Sequence, residues 1–152
     1  MCRKKYTRFF SVIAVVLVLS FVMPISSYAA VPDTVEPLAS DYLVSYTSYV
    51  GPVGGGKVQV WFRVTGKGYL ADIGALSVMV YESTDNANWY WVESFLYEDY
   101  PNMLSHNDSH YMSYVEYQGV AGRYYKARVC IWAGDETTGD ARYMWTPVEQ
   151  AT

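Results

Sequence analysis

His106, Asp108 and His110 bring two imidazoles and a carboxylate into five residues. On an extended backbone positions two apart project to the same side, so this trio could grip a divalent cation. Three ligands from one flexible loop, without a fourth named from elsewhere, bind weakly. The expected metal set is therefore none, and the segment reads as a solvated polar loop leading into a strand at Tyr111. Gly51 to Lys57 matches a phosphate-binding loop up to its lysine. That motif then needs a Ser or Thr hydroxyl for magnesium and a helix whose N-terminus faces the phosphates. Val58 and an alternating strand follow instead, so nucleotide binding is rejected. Cys130 lies mid-strand with no nucleophile motif around it. Glu98 and Asp99 are adjacent and point opposite ways when extended, unlike the facing carboxylates of a glycosidase. No serine occupies a nucleophile elbow. These absences predict a non-catalytic chain that needs no cofactor.

The aromatic residues carry the remaining chemical signal. Beyond residue 29 the chain holds fourteen Tyr and five Trp but two Phe, a bias toward rings with a polar handle. Such rings suit wet interfaces better than a dry core. Tyr81, Trp91, Tyr124, Trp132 and Trp145 are the candidate platform, on which flat sugar faces or peptide strands could stack. The same rings could merely stabilise a sheet through cross-strand pairs. Burial decides between these two roles.

The element that must position them is Gly119 to Ala133, GVAGRYYKARVCIWA. With side chains alternating at a period of two, Tyr125, Ala127, Val129, Ile131 and Ala133 fall on a core face. Tyr124, Lys126, Arg128, Cys130 and Trp132 fall on the solvent-side face. Gly122, Tyr125 and the small Ala127 match the spacing of a tyrosine corner, in which a Tyr hydroxyl bonds to backbone just upstream. No disulfide partner exists for a residue at the Ala127 position, which points to the fibronectin type III style of sandwich. Six further strands are predicted at Tyr42–Val50, Lys57–Thr65, Ala75–Glu82, Trp89–Phe95, Tyr111–Gln118 and Arg142–Val148. On these, Tyr42, Val44 and Tyr46 share one face, as do Val58, Val60, Phe62 and Val64, and likewise Leu76, Val78 and Val80. Gly51–Gly56, Gly66–Gly74 and Thr84–Asn88 read as loops or turns, Tyr97–His110 as irregular, and Pro147 as suited to an edge. The expected fold is all-β, a single immunoglobulin-like sandwich of about seven strands.

The first residues form a different polymer. Arg3, Lys4, Lys5 and Arg8 precede an apolar run from Phe9 to Met23, and Ser27-Tyr28-Ala29 supplies a small-residue cleavage site. This predicts a signal peptide over 1–29, cut after Ala29, then a flexible lead-in over 30–40 and the sandwich over 41–152. The apolar run is shorter than a membrane span requires. Removing four basic residues with the leader leaves seven against fifteen acidic ones, a net charge of minus eight. Nucleic acid and anionic membrane are poor partners for such a surface. Cys2 leaves with the leader, so Cys130 has no intrachain partner. The mature chain is expected to be secreted, either released or loosely associated with the cell envelope.

The run from Val58 through Ile73-Gly74-Ala75 and Tyr81-Glu82-Ser83, then Tyr117-Gln118-Gly119, Gly122 and Tyr124-Tyr125, resembles a family of small, uncharacterised secreted β-sandwich proteins of Gram-positive bacteria. The resemblance covers nearly the whole mature chain. Its motifs are turns and core positions, so it implies a fold and no active site. The first functional expectation is a recognition or envelope-associated module for a carbohydrate, cell-wall or protein ligand. The alternatives are a small carbohydrate-active or other hydrolytic enzyme, and an oligomerising structural protein of the cell exterior.

Overall fold

The computed structural model describes residues 40–152. The predicted signal peptide, its cleavage site and most of the lead-in lie outside the described residues. What is described is all-β: β1 (Leu43–Gly54), β2 (Lys57–Ser83), β3 (Tyr90–Leu96), β4 (Leu104–Gln118), β5 (Tyr124–Gly134), β6 (Gly139–Trp145) and β7 (Glu149–Gln150), with one 3-10 turn at Pro101–Met103. All seven strands are linked in one antiparallel sheet curled as a half-barrel.

β2 is the spine of that sheet. Its first half pairs with β1 on one side and β4 on the other, and its second half pairs with β3 and β5. The two strands expected at Lys57–Thr65 and Ala75–Glu82 are thus one strand of 27 residues. The intervening glycines bend the strand without ending it. Pairing with β4 skips from Thr65↔His110 to Leu70↔Asp108, and the extra residues on β2 bulge out. Gly74 sits at φ 152°, which only glycine adopts readily.

The hairpin between β1 and β2 shows why Gly51 to Lys57 is not a nucleotide loop. Gly54 pairs with Lys57, leaving Gly55 and Gly56 as the two central residues, both at positive φ. Two-residue hairpin turns of the I′ type require that backbone. The turn before β3 also follows from local chemistry. The Asp85 carboxylate accepts the backbone N–H groups of Asn88 and Ala87, which holds its carboxyl well below the usual carboxylate range.

One core fills the concave side. On β5 the predicted inner residues Tyr125, Ala127, Val129, Ile131 and Ala133 are all buried, and they meet Val58, Val60, Phe62 and Val64 of β2. Two expected faces differ. A register shift between Leu43 and Ser45 leaves Leu43, Ser48 and Val50 inside while Val44 and Tyr46 are exposed. A second shift between Ala75 and Ser77 puts Leu76 at the bulge, so Ile73, Ala75, Val78 and Val80 are the buried set.

The curl is clipped across its opening by Asp140 at the start of β6. Its carboxylate accepts the Ser40 hydroxyl and, at 3.0 Å, the Tyr42 backbone N–H, and these bonds hold its pKa low. At the far edge β6 ends before Pro147. Thr146 is buried, its N–H donating to the Ala127 carbonyl at 2.9 Å and its hydroxyl accepting the Ala127 N–H at 2.9 Å. Thr146 is therefore tied to β5 and offers no free edge.

Candidate functional site

The outer face of β3, β2, β5 and β6 gathers three of the five expected platform residues. Tyr81 on β2 is the cross-strand partner of Trp91 on β3 and of Lys126 on β5, and residues opposite one another in an antiparallel pair share a face. Trp145 on β6 lies opposite Arg128, one register step along, and its ring centroid is 5.1 Å from that of Tyr81. Trp91 is 60% and Trp145 50% exposed. The Trp91 indole N–H is held by the Glu93 carbonyl at 3.0 Å and the Ser94 hydroxyl at 3.1 Å, which fixes the ring's orientation.

The remaining two lie apart. Tyr124, half-buried, pairs with Ser83 and Gln150 at the beginning of β5. Trp132 stands at the other end, opposite Gly74 and Ala141. Its half-buried indole presses on two glycines: a Cβ at Gly139 would come within 2.5 Å of the ring, and one at Gly134 within 2.8 Å. Cross-strand packing governs this ring. Trp132→Ala is expected to cost about 2 kcal/mol, between a surface change and the roughly 3–5 kcal/mol of a fully buried aromatic. Urea denaturation measures it, and a loss below about 0.5 kcal/mol would show that the ring stands free of its glycine cradle.

Two cations escaped the sequence reading of this face. The Lys126 ammonium lies 4.2 Å from the Trp89 ring centroid and 4.9 Å from that of Trp145, and the Arg128 guanidinium lies 4.3 Å from that of Tyr143. Their signal was present in the outward phase Tyr124, Lys126, Arg128. Which rings they would meet depends on pairing with distant strands.

Cys130 is on the expected outward phase yet is only 4% exposed. Its cross-strand neighbours are Ser77 and Tyr143. Burial pushes the thiol pKa up, outweighing the Tyr143 hydroxyl and the Arg128 charge that favour the thiolate. Near neutral pH it is a protonated small apolar residue, poorly suited to nucleophilic or redox chemistry.

The histidine segment is not the loop expected. It is the first part of β4, interrupted at Asn107, whose φ of 53° breaks the extended alternation. His106 pairs with Asp72 across the sheet, its Nδ1 2.5 Å from the carboxylate. Asp108 accepts the N–H groups of His110 and Ser109 and the Ser105 hydroxyl, and these bonds lower its pKa. Among the described residues no three His, Cys, Asp or Glu side chains converge as a metal site.

Two openings flank this strand. One of about 740 Å³ is lined by Arg63, Thr65, Asp108, His110 and Met112 among others. The other, of about 300 Å³, is lined by Asp72, Tyr97, Glu98, Pro101, Leu104 and His106. The Asp72–His106 pair could orient a general base, but the lining of this second opening includes no Ser, Thr or Cys for it to activate.

A second aromatic ladder occupies the outer face of the other half. Tyr49, Trp61 and Tyr114 are in register on β1, β2 and β4, with centroids 6.1 Å and 4.5 Å apart. The planes of Tyr49 and Trp61 are 11° apart and stacked. No family model, curated protein or solved structure matches the chain.

Proposed function

We propose that the chain is a secreted, non-catalytic recognition module, released or loosely held at the cell envelope, whose ligand lies on the outer face of β3, β2, β5 and β6. The observation that carries this reading is the exposure of Trp91 and Trp145 together beside Tyr81 on one sheet face, since clustered exposed rings mark interaction surfaces where scattered ones do not. The rings stand on the outer, convex side of the curled sheet, which suits an extended carbohydrate, cell-wall strand or peptide better than a small molecule. In this reading the half-barrel is a variant of the immunoglobulin-like sandwich, the two halves of β2 serving two facing layers. The tyrosine-corner geometry at Tyr125 and the family resemblance of its turns support that finer placement.

The test is binding of immobilised glycans, cell-wall material and peptides by the parent protein and by Trp145→Ala. Loss of the ring is expected to weaken binding by about 1–3 kcal/mol, the range for an anchoring aromatic, with folding nearly unchanged. Binding that survives both Trp145→Ala and Trp91→Ala would place the ligand elsewhere on the molecule.

A further inference from the structure

We infer that the ligand of this face is an acidic polysaccharide, its sugar rings stacked on the indoles and its carboxylates met by Lys126 and Arg128; the inference rests on the recognition reading above. Fifteen acidic residues against eleven basic ones make the chain as a whole a poor host for anions. This face sets two cations against aromatic rings. Among the described residues, Lys57, Arg123 and Arg142 each have a carboxylate within ion-pairing distance. Arg63 and Lys67 have none but lie on no aromatic ring, whereas Lys126 and Arg128 have none and both lie on aromatic rings. Nor does the register bring an acid to them. The outward positions of β2, β5 and β6 around them are Ser77, Met79, Tyr81, Cys130, Tyr143 and Trp145, and Glu93 of β3 is opposite the inward-facing Val80.

Lys126 and Arg128 are two residues apart on one strand, so their Cα atoms stand about 6.6 Å from each other along it. Side chains rooted that close can share the carboxylate of one sugar or meet those of successive sugars of a chain. The rings supply the other half of the recognition. Trp91 and Trp145 flank Tyr81 on the same face, and an indole binds the C–H face of a sugar through dispersion and burial of apolar area. A cation already resting on an aromatic face is held in place, so it loses little side-chain freedom when a carboxylate arrives. The acidic remainder of the surface repels a polyanion, which directs its approach to this face.

The probes are polygalacturonate, its carboxyl-reduced neutral counterpart and poly-glutamate, titrated calorimetrically into the full chain at two salt concentrations. Polygalacturonate is expected to bind at least tenfold tighter than the reduced polymer, and to weaken as salt rises. Lys126→Gln/Arg128→Gln and, separately, Trp145→Ala should each weaken it at least tenfold, while thermal unfolding confirms that both variants are folded. Retention of binding by Lys126→Arg/Arg128→Lys would support charge as the cause. Equal binding of the neutral polymer would overturn the acidic assignment and leave the recognition face standing. Binding of poly-glutamate as tightly as polygalacturonate, indifferent to Trp145→Ala, would overturn the sugar assignment. Absence of binding by all three would overturn the inference; continued Trp145-dependent binding to another ligand would spare the recognition reading, and its absence would remove both.

Discussion

Tyr125→Ala is expected to lower folding stability by at least 3–5 kcal/mol, the cost of emptying a buried aromatic site, and Tyr125→Phe by about 1.5–3 kcal/mol. The ring is fully buried beside Tyr117, with centroids 5.9 Å apart, at the point where the chain turns from β4 into β5. Its hydroxyl does two jobs. It accepts the Val120 backbone N–H at 2.8 Å, five residues upstream, and donates to the Glu82 carboxylate, which also receives the Arg123 guanidinium. Phenylalanine keeps the packing but leaves a backbone donor and a carboxylate short of a partner. Gly119 records how tightly the ring is held, since a Cβ there would come within 2.5 Å of the hydroxyl oxygen.

The same phenol supplies an alkaline signature. Burial, reinforced by the Glu82 carboxylate, pushes its pKa up from 10.0 to about 12. A tyrosine that ionises later in the folded protein contributes stability that is fully present below about pH 10 and is lost as the pH rises through about 12. Denaturation of Tyr125→Phe beside the parent across that window should show a shallower alkaline decline in the variant. Identical slopes would mean that the hydroxyl is not buried against Glu82.

The strand that carries Tyr125 was legible because its alternation is uninterrupted from Tyr124 to Ala133, and a period of two has only two phases to choose between. Where a bulge intervenes, as at Leu76 and Val44, the local pattern misassigns the face, since the shift is imposed by the partner strand. Gly66, Gly68 and Gly74 read as a loop because glycine ends strands more often than it bends them. Only the contact with Met103 and the pairing with β4 distinguish the two. The candidate site was legible in the same measure. Tyr81, Trp91 and Trp145 share a face because β2 lies between β3 and β5. That long-range order brought Trp89 and Tyr143 to the two cations, and none of it is written in local spacing, whereas the separation of Tyr124 and Trp132 along the chain already sets those two rings at opposite ends of β5.

Gly74→Ala is expected to cost about 3 kcal/mol or more, because two penalties coincide there. Its φ of 152° is strained for any residue with a Cβ, and that Cβ would overlap the Met103 carbonyl oxygen and lie 3.0 Å from the Leu104 Cα. Both obstacles are backbone, which cannot swing aside as a side-chain end can. Relief requires β4 to retreat from β2 at Gly74↔Leu104, next to the fully buried Ile73 and Met103. Gly68 separates the two causes, since it sits at φ 139° but a Cβ there would meet no atom within 4 Å. Gly68→Ala should therefore cost about 1–2 kcal/mol from backbone strain alone. Equal losses in urea denaturation would show that Met103 stands back from the spine strand. A larger loss at Gly74 would mean that β2 stays whole through its bend because glycine alone lets the start of β4 lie so close.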